Sequence, residues 1–382
     1  MDCVTRIRHW LFDEAIPVWT EKCLDPHFGG PVESFDLTGT GPSADPFKRT
    51  FVIARQLYVM SHAACLGVDK AGPIADTLFD YLSKHNWQGA DQGWVHSLAH
   101  DKTIFDPTAD LYDFAFCLFG LGWYYKYSKS PAALKMAHQT TDIIENAFRH
   151  PSGKGFHNQI PATLPRQQNP HMHLFEAALA MWDATGDDRF GQLSNELADL
   201  FLQHLYTPEI GTVPEFFDDG LARLGDEDGN RLEAGHQFEW AWILAQHQKL
   251  SGQDHSGVVR TLVSNAETFG VDPISQLTIN ANHLDMSSKD KGSRTWPSTE
   301  RIKGWLGLYE LTGTAPWHAV ESSCDALFRH HLGSLAPDGM WIDAFDAQRQ
   351  PTSGKIPSST LYHVWLAFTE VLRLAPEPTT PG

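Results

Sequence analysis

Cysteine is scarce in this chain: Cys3, Cys23, Cys65, Cys117 and Cys324 are an odd number, widely spaced, with no CxxC pair. That pattern excludes a disulfide framework or a thiolate zinc site and points to a reducing, cytoplasmic setting. Long hydrophobic runs are missing too. No stretch of about 20 apolar residues could span a bilayer, and acidic and basic residues interrupt the N-terminus through Arg6, Arg8 and Glu14, where a secretory signal needs an apolar run. Charged residues make up only 20% of the chain, and the balance is one-sided at −18. Such a surface repels nucleic acid and anionic membrane and disfavours a strongly anionic substrate. No low-complexity or Ser/Gly linker divides residues 1–382, which predicts one domain with a frayed Pro-rich tail from Pro376 to Gly382. A homo-oligomer is left open.

What the chain has is helical periodicity. Apolar blocks start near Thr5, Asp45, Ala71, Ala109, Pro131, Pro170, Asp187, Leu232, His255, Pro297, Ala315 and Pro357. Asp45-Pro46, Ser130-Pro131 and Trp296-Pro297 place proline where a first helical turn tolerates its missing N–H. Short pieces bearing Gly and Trp, such as 93–96, 155–158 and 339–343, read as loops or β-hairpins on one rim. About a dozen helices without a fixed repeat predict a closed toroid of six helical hairpins, an all-α (α/α)6 barrel, rather than an open solenoid. In such a ring the inner helices converge on an axial cavity, and the longer loops line its mouth.

With 20 His and 13 Trp against few charges, the composition suits a carbohydrate pocket, although any single Trp is more often core. His173 and Glu176 share a helical face, as do His236 and Glu239, where the carboxylate could fix the imidazole tautomer. His171 and His173 point in different directions from a helix start, which argues against a metal pair. His363 opens the last apolar helix. Arg55 interrupts an apolar helix and needs either a carboxylate or a ligand oxygen. Trp296, Glu300 and Lys303 form one more polar-aromatic helix start.

In order along the chain, Ala54-Arg55-Gln56, Asp110-Leu111-Tyr112-Asp113, Met172-His173-Leu174-Phe175-Glu176-Ala177, Gly235-His236-Gln237-Phe238-Glu239-Trp240, Trp296-Pro297-Ser298-Thr299-Glu300 and Tyr362-His363 together resemble the N-acylglucosamine 2-epimerase superfamily. The segment Asp106–Asp113 looks most like its mannose isomerase members. The resemblance implies an (α/α)6 barrel and acid/base chemistry without metal or cofactor. It puts the catalytic histidines at His236 and His363, a substrate-oxygen contact at Arg55, and pocket positions at Tyr112, Asn169, His173, Glu239, Trp296 and Trp341. Neutral imidazole suits removal of the proton beside a sugar carbonyl, and Arg55 suits the enediol oxyanion. The expected activity is interconversion of a free aldose and ketose of the mannose/fructose type, with a glucose/mannose 2-epimerase as the nearest alternative. Two further readings are an inverting glycoside hydrolase using Glu215, Asp218 or Glu233, and a non-catalytic interaction protein.

Overall fold

The computed structural model describes residues 2–375, so the predicted tail from Pro376 lies outside the described residues. Among these, twelve helices run in antiparallel pairs. Helix α1 covers 3–22 as Cys3–His9, a π-helical stretch Trp10–Ala15 and Ile16–Lys22. It is followed by α2 (Thr50–Cys65), α3 (Ala71–Tyr81), α4 (Leu111–Ser128), α5 (Pro131–Ile143), α6 (Gln168–Thr185) and α7 (Asp188–Leu200). Then come α8 (Ala234–Ser251), α9 (Ser256–Gly270), α10 (Thr295–Thr312), α11 (Trp317–His330) and α12 (Leu361–Leu374), the last preceded by the 3-10 turn Ser358–Thr360.

Burial sorts these helices into two rings. Helix α8 is buried from Ala234 through Ala245, whereas α9 buries Val259, Leu262, Val263, Ala266 and Phe269, the stripe of a helix with one wet face. The even-numbered helices form the inner ring: each packs on the next, and α12 packs on α2 to close it. The odd-numbered helices wrap outside, each against an inner partner. Close approach of the inner helices requires small residues at their crossings. A Cβ on Gly120 of α4 would lie 2.7 Å from the Ala54 carbonyl oxygen of α2, and one on Gly304 of α10 would lie 3.0 Å from the Phe238 carbonyl of α8.

Short antiparallel ladders tie the starts of the inner helices together. Phe47–Arg49, which runs into α2, pairs with Ser97–Ala99; Ala109–Asp110 pairs with Gln159–Ile160, and Arg166–Gln167 with Phe216–Phe217. Leu232 bridges Asn282, Ser293–Arg294 pairs with Ala344–Phe345, and Ile356–Pro357 pairs with Ser34–Phe35, completing the circuit. Most ladders thus join successive loops, while Ala281–Asn282 with Ser288–Asp290 is a local hairpin.

The predicted helix starts fall within a few residues of the observed ones, except that Asp45-Pro46 precedes a strand and α2 begins at Thr50. Ser130 caps α5 with Pro131 in its first turn, as expected. Gly120→Val should destabilise the protein by about 1–3 kcal/mol through overpacking at the α2–α4 crossing, read as a lower urea midpoint with an unchanged m-value.

Candidate active site

Because the ladders start the inner helices at one level, equivalent positions meet on the axis. The second residues, Tyr112, Asn169, Trp296 and Ser359, lie nearest the mouth, counting the last helix from Ser358. The sixth residues are Arg55, Phe116, His173, Glu239, Glu300 and His363. A polar cavity of about 290 Å³ lies between these layers, and Glu233, Arg294 and Asp343 from the rim loops form its mouth. Arg55, Tyr112, Asn169, His173, His236, Glu239, Trp296 and His363 all line it.

Trp341 does not. It is fully buried and stacked on Trp19 of α1 with centroids 5.3 Å apart, so it supports the wall from behind and is not a pocket residue.

Two histidines flank Trp296, whose ring centroid lies 4.9 Å from that of His236 and 5.5 Å from that of His363. They are held in opposite protonation states. Burial pulls His236 down, but the Glu215 carboxylate 2.8 Å from Nδ1, with Glu233 and Glu239 nearby, outweighs it and raises the imidazole to about 9. His363 is pushed well below the ordinary imidazole range, first by burial and then by the charges of Arg55 and Lys303. Its Nδ1 lies 2.7 Å from Glu300 Oε1. Burial and the Glu239 charge push the Glu300 carboxyl up, and the Lys303 ammonium 2.7 Å away pulls it down. With Glu300 ionised against that ammonium, Nδ1–H donates to it and Nε2 keeps a free lone pair.

The expected His236–Glu239 pairing does not form. Glu215, on the loop between α7 and α8, takes Nδ1 of His236, and Gln168 of α6 donates to the same carboxylate at 2.9 Å. Glu239 instead presents two buried oxygens without a hydrogen-bond partner among the described residues. The His173–Glu176 pair does form, at 3.1 Å, and the Tyr362 hydroxyl also donates to Glu176. Arg55, 4% exposed, has no carboxylate partner among the described residues. It donates to the Tyr112 hydroxyl at 2.7 Å and the Ser359 carbonyl at 3.2 Å, and its guanidinium lies 4.0 Å from the Phe116 ring centroid. A cation held by aromatic faces and neutral acceptors remains available to a ligand oxygen.

Sequence reasoning missed the roles of Glu215, Asp343 and Lys303. Asp343 is raised by burial, and its carboxylate accepts from Thr360 at 2.8 Å. Lys303, fully buried, sits 2.7 Å from Glu300 Oε2 and 3.7 Å from Glu239 Oε1. Burial lowers it, but Glu300, Glu239 and Glu176 outweigh that and keep it an ammonium. Its signal was a lysine three residues after a glutamate on a helix too apolar to solvate either. Glu239, Glu300 and His363, or His173, Glu176 and Glu239, are close enough to gather round a cation, as are His96, Asp110 and Asp113 at the rim. In the first group Lys303 already supplies a positive charge.

Replacing Glu215 by Gln removes the carboxylate that raises His236. The imidazole should then titrate well below about 9, read from its ring-proton NMR shifts. An unchanged midpoint would refute Glu215 as the cause.

The chain matches the N-acylglucosamine 2-epimerase (GlcNAc 2-epimerase) family over residues 30–367. It is 31% identical over 376 residues, 95% of each chain, to a mannose-6-phosphate isomerase of Rhizobium meliloti. Its fold superimposes on a cellobiose 2-epimerase from Bacillus thermoamylovorans with a TM-score of 0.87 at 20% identity, covering 97% of this chain and 98% of that one. A D-mannose isomerase structure gives a TM-score of 0.86 at 19% identity, covering 97% of both chains. A match of this extent, on a barrel whose sugar-sized polar cavity holds paired histidines, places the chain in the N-acylglucosamine 2-epimerase family of sugar epimerases and isomerases.

Proposed function

We propose that the chain is a single catalytic domain that interconverts a free aldose and ketose of the mannose/fructose type, without metal or cofactor. The observation that carries this reading is the pair His236 and His363, one charged and one neutral, on either side of Trp296 in one cavity. A cavity of about 290 Å³ is at the small end of ligand pockets and suits one hexose.

In this mechanism Nε2 of His363 takes the proton from the carbon beside the carbonyl, while His236 gives its proton to the carbonyl oxygen. The product is a neutral enediol. The neighbouring hydroxyl then returns its proton to His236, and His363 delivers its proton to the adjacent carbon on the same face. Arg55 stabilises negative charge on the oxygens during both transfers, reinforced by the inner-helix N-termini around the cavity. The unpartnered oxygens of Glu239 and Asn169 accept sugar hydroxyls. Lys303 supplies fixed positive charge beneath the base.

A free sugar fits better than a phosphosugar. Arg294 is already committed to Glu233 at 2.8 Å, and Glu233, Glu239 and Asp343 would face an added phosphate. The second reading is a 2-epimerase of the glucose/mannose type, favoured by the opposite protonation states that removal from one face and delivery to the other require. A hydrolase finds less support, because Glu215 and Glu233 are tied to His236 and to Arg231 and Arg294, and Asp218 is spent on the Ala222 amide. A non-catalytic interaction protein leaves the charged and neutral histidine pair without a role.

His236→Ala and His363→Ala should each lower turnover by roughly 100-fold or more with unchanged circular dichroism; full activity in either would reject its role. Chelator should leave activity unchanged, whereas a strict divalent-metal requirement would overturn the metal-free mechanism. Turnover of mannose 6-phosphate should be on the order of 100-fold below that of mannose. Incubation with mannose, glucose and fructose in deuterated water separates the two readings by product and by the carbon that acquires deuterium.

A further inference from the structure

A second chamber, of about 460 Å³, opens at the opposite end of the barrel. The same register builds it. The ninth residues, among them Phe119, Glu176, Trp242 and Leu366, form its floor, and the thirteenth, among them His62, Trp123 and Ala180, form its walls. The thirteenth residue of α10, Gly307, instead lets α10 pack closely on α8: a Cβ there would lie 3.1 Å from the Ala245 Cβ.

Its rim charges cancel. Lys126 meets Asp183 at 2.6 Å, Lys249 and Arg373 each meet Glu310 at 2.8 Å, and Arg373 also meets Glu370 at 2.7 Å, which makes three cations against three carboxylates. Among the described residues no rim cation is left over for an anionic ligand. The walls are largely aromatic and aliphatic; Gln246 and Glu370 also line them but are engaged, Gln246 donating to Glu310 at 3.4 Å and Glu370 accepting from the Trp242 indole at 3.2 Å, which leaves His62 as the distinctive polar group. The Trp365 indole, which can only donate, gives its N–H to His62 Nδ1 at 3.1 Å, and the Tyr58 hydroxyl lies 3.1 Å from the same nitrogen. The proton of this imidazole is therefore on Nε2, for which no acceptor is found among the described residues. Burial lowers His62 to about 3, so the ring is neutral. Its face stacks on Trp123 at 4.2 Å.

We infer that this chamber is a second ligand site, distinct from the sugar cavity, for a neutral aromatic molecule carrying one hydrogen-bond acceptor for His62 Nε2. The apolar walls take the ring system by burial. The cancelled rim disfavours a charged ligand, and the His62 Nε2–H selects an oxygen acceptor.

The test is calorimetric titration of the full chain with three probes of one size: 2-acetylnaphthalene, 2-ethylnaphthalene and 2-naphthoate. The ketone should bind at one per chain, roughly fivefold tighter than the ethyl compound that lacks its oxygen, and the carboxylate should bind weakest. Ala180→Trp, which fills the chamber, should weaken the ketone at least tenfold while sugar turnover stays unchanged. No binding to the unmodified protein, equal affinity for ketone and ethyl compound, or undiminished binding to Ala180→Trp would each overturn the assignment. So would sedimentation as a dimer that Ala180→Trp dissociates, since a second copy would then cover the chamber.

Discussion

The site depends on one constraint: six inner helices must start at the same height around a closed ring. The rim ladders impose it by pairing the strand before each inner helix with a strand of the next loop, and the pairing of Ile356–Pro357 with Ser34–Phe35 closes the circuit. Once the starts are level, helical periodicity repeats every three to four residues down the axis and stacks side chains in layers. Polar residues of the upper layers line one cavity, the ninth residues form a partition, and aromatic residues below line another. A slip of one residue in any ladder would turn an inward side chain into a helix–helix contact.

The partition and the layer of sixth residues above it carry an unusual electrostatic load. Glu176, Glu239, Glu300 and Lys303 are all buried within one region of the core. Burying an ion pair is rarely stabilising by itself, since desolvation offsets most of the attraction. Its effect here falls on the layer above. Burial first, then positive charge from Arg55 and Lys303, keeps His363 neutral, while the carboxylates gathered around His236 outweigh burial there and keep it protonated. Two identical buried side chains acquire acid and base character because carboxylates outweigh burial at His236, whereas cations add to it at His363. Trp296 between them gives a sugar ring an apolar face to lie against.

Partners set by local helical spacing were legible: His173 meets Glu176 three residues on. His236 and Glu239 have the same spacing, yet a loop glutamate distant in sequence captured the imidazole and left both Glu239 oxygens without a hydrogen-bond partner among the described residues. Trp341 misled for a related reason. An indole near polar residues reads as a pocket wall, but α1 crosses behind it and provides Trp19 as a stacking partner. Arg55 raised the choice between an ion pair and a ligand contact, and only the packed structure places it among aromatic rings with no carboxylate partner among the described residues.

By itself the sequence determined the twelve helices, their approximate starts and the residue types on the axis, because periodicity, capping and burial of apolar side chains are local properties of the chain. The tertiary structure decided which carboxylate serves which histidine, which histidine is charged, and that the barrel opens into a further cavity at its other end. Those outcomes depend on the register of helices distant in sequence and on charges brought together at a few ångströms, and no local pattern records either.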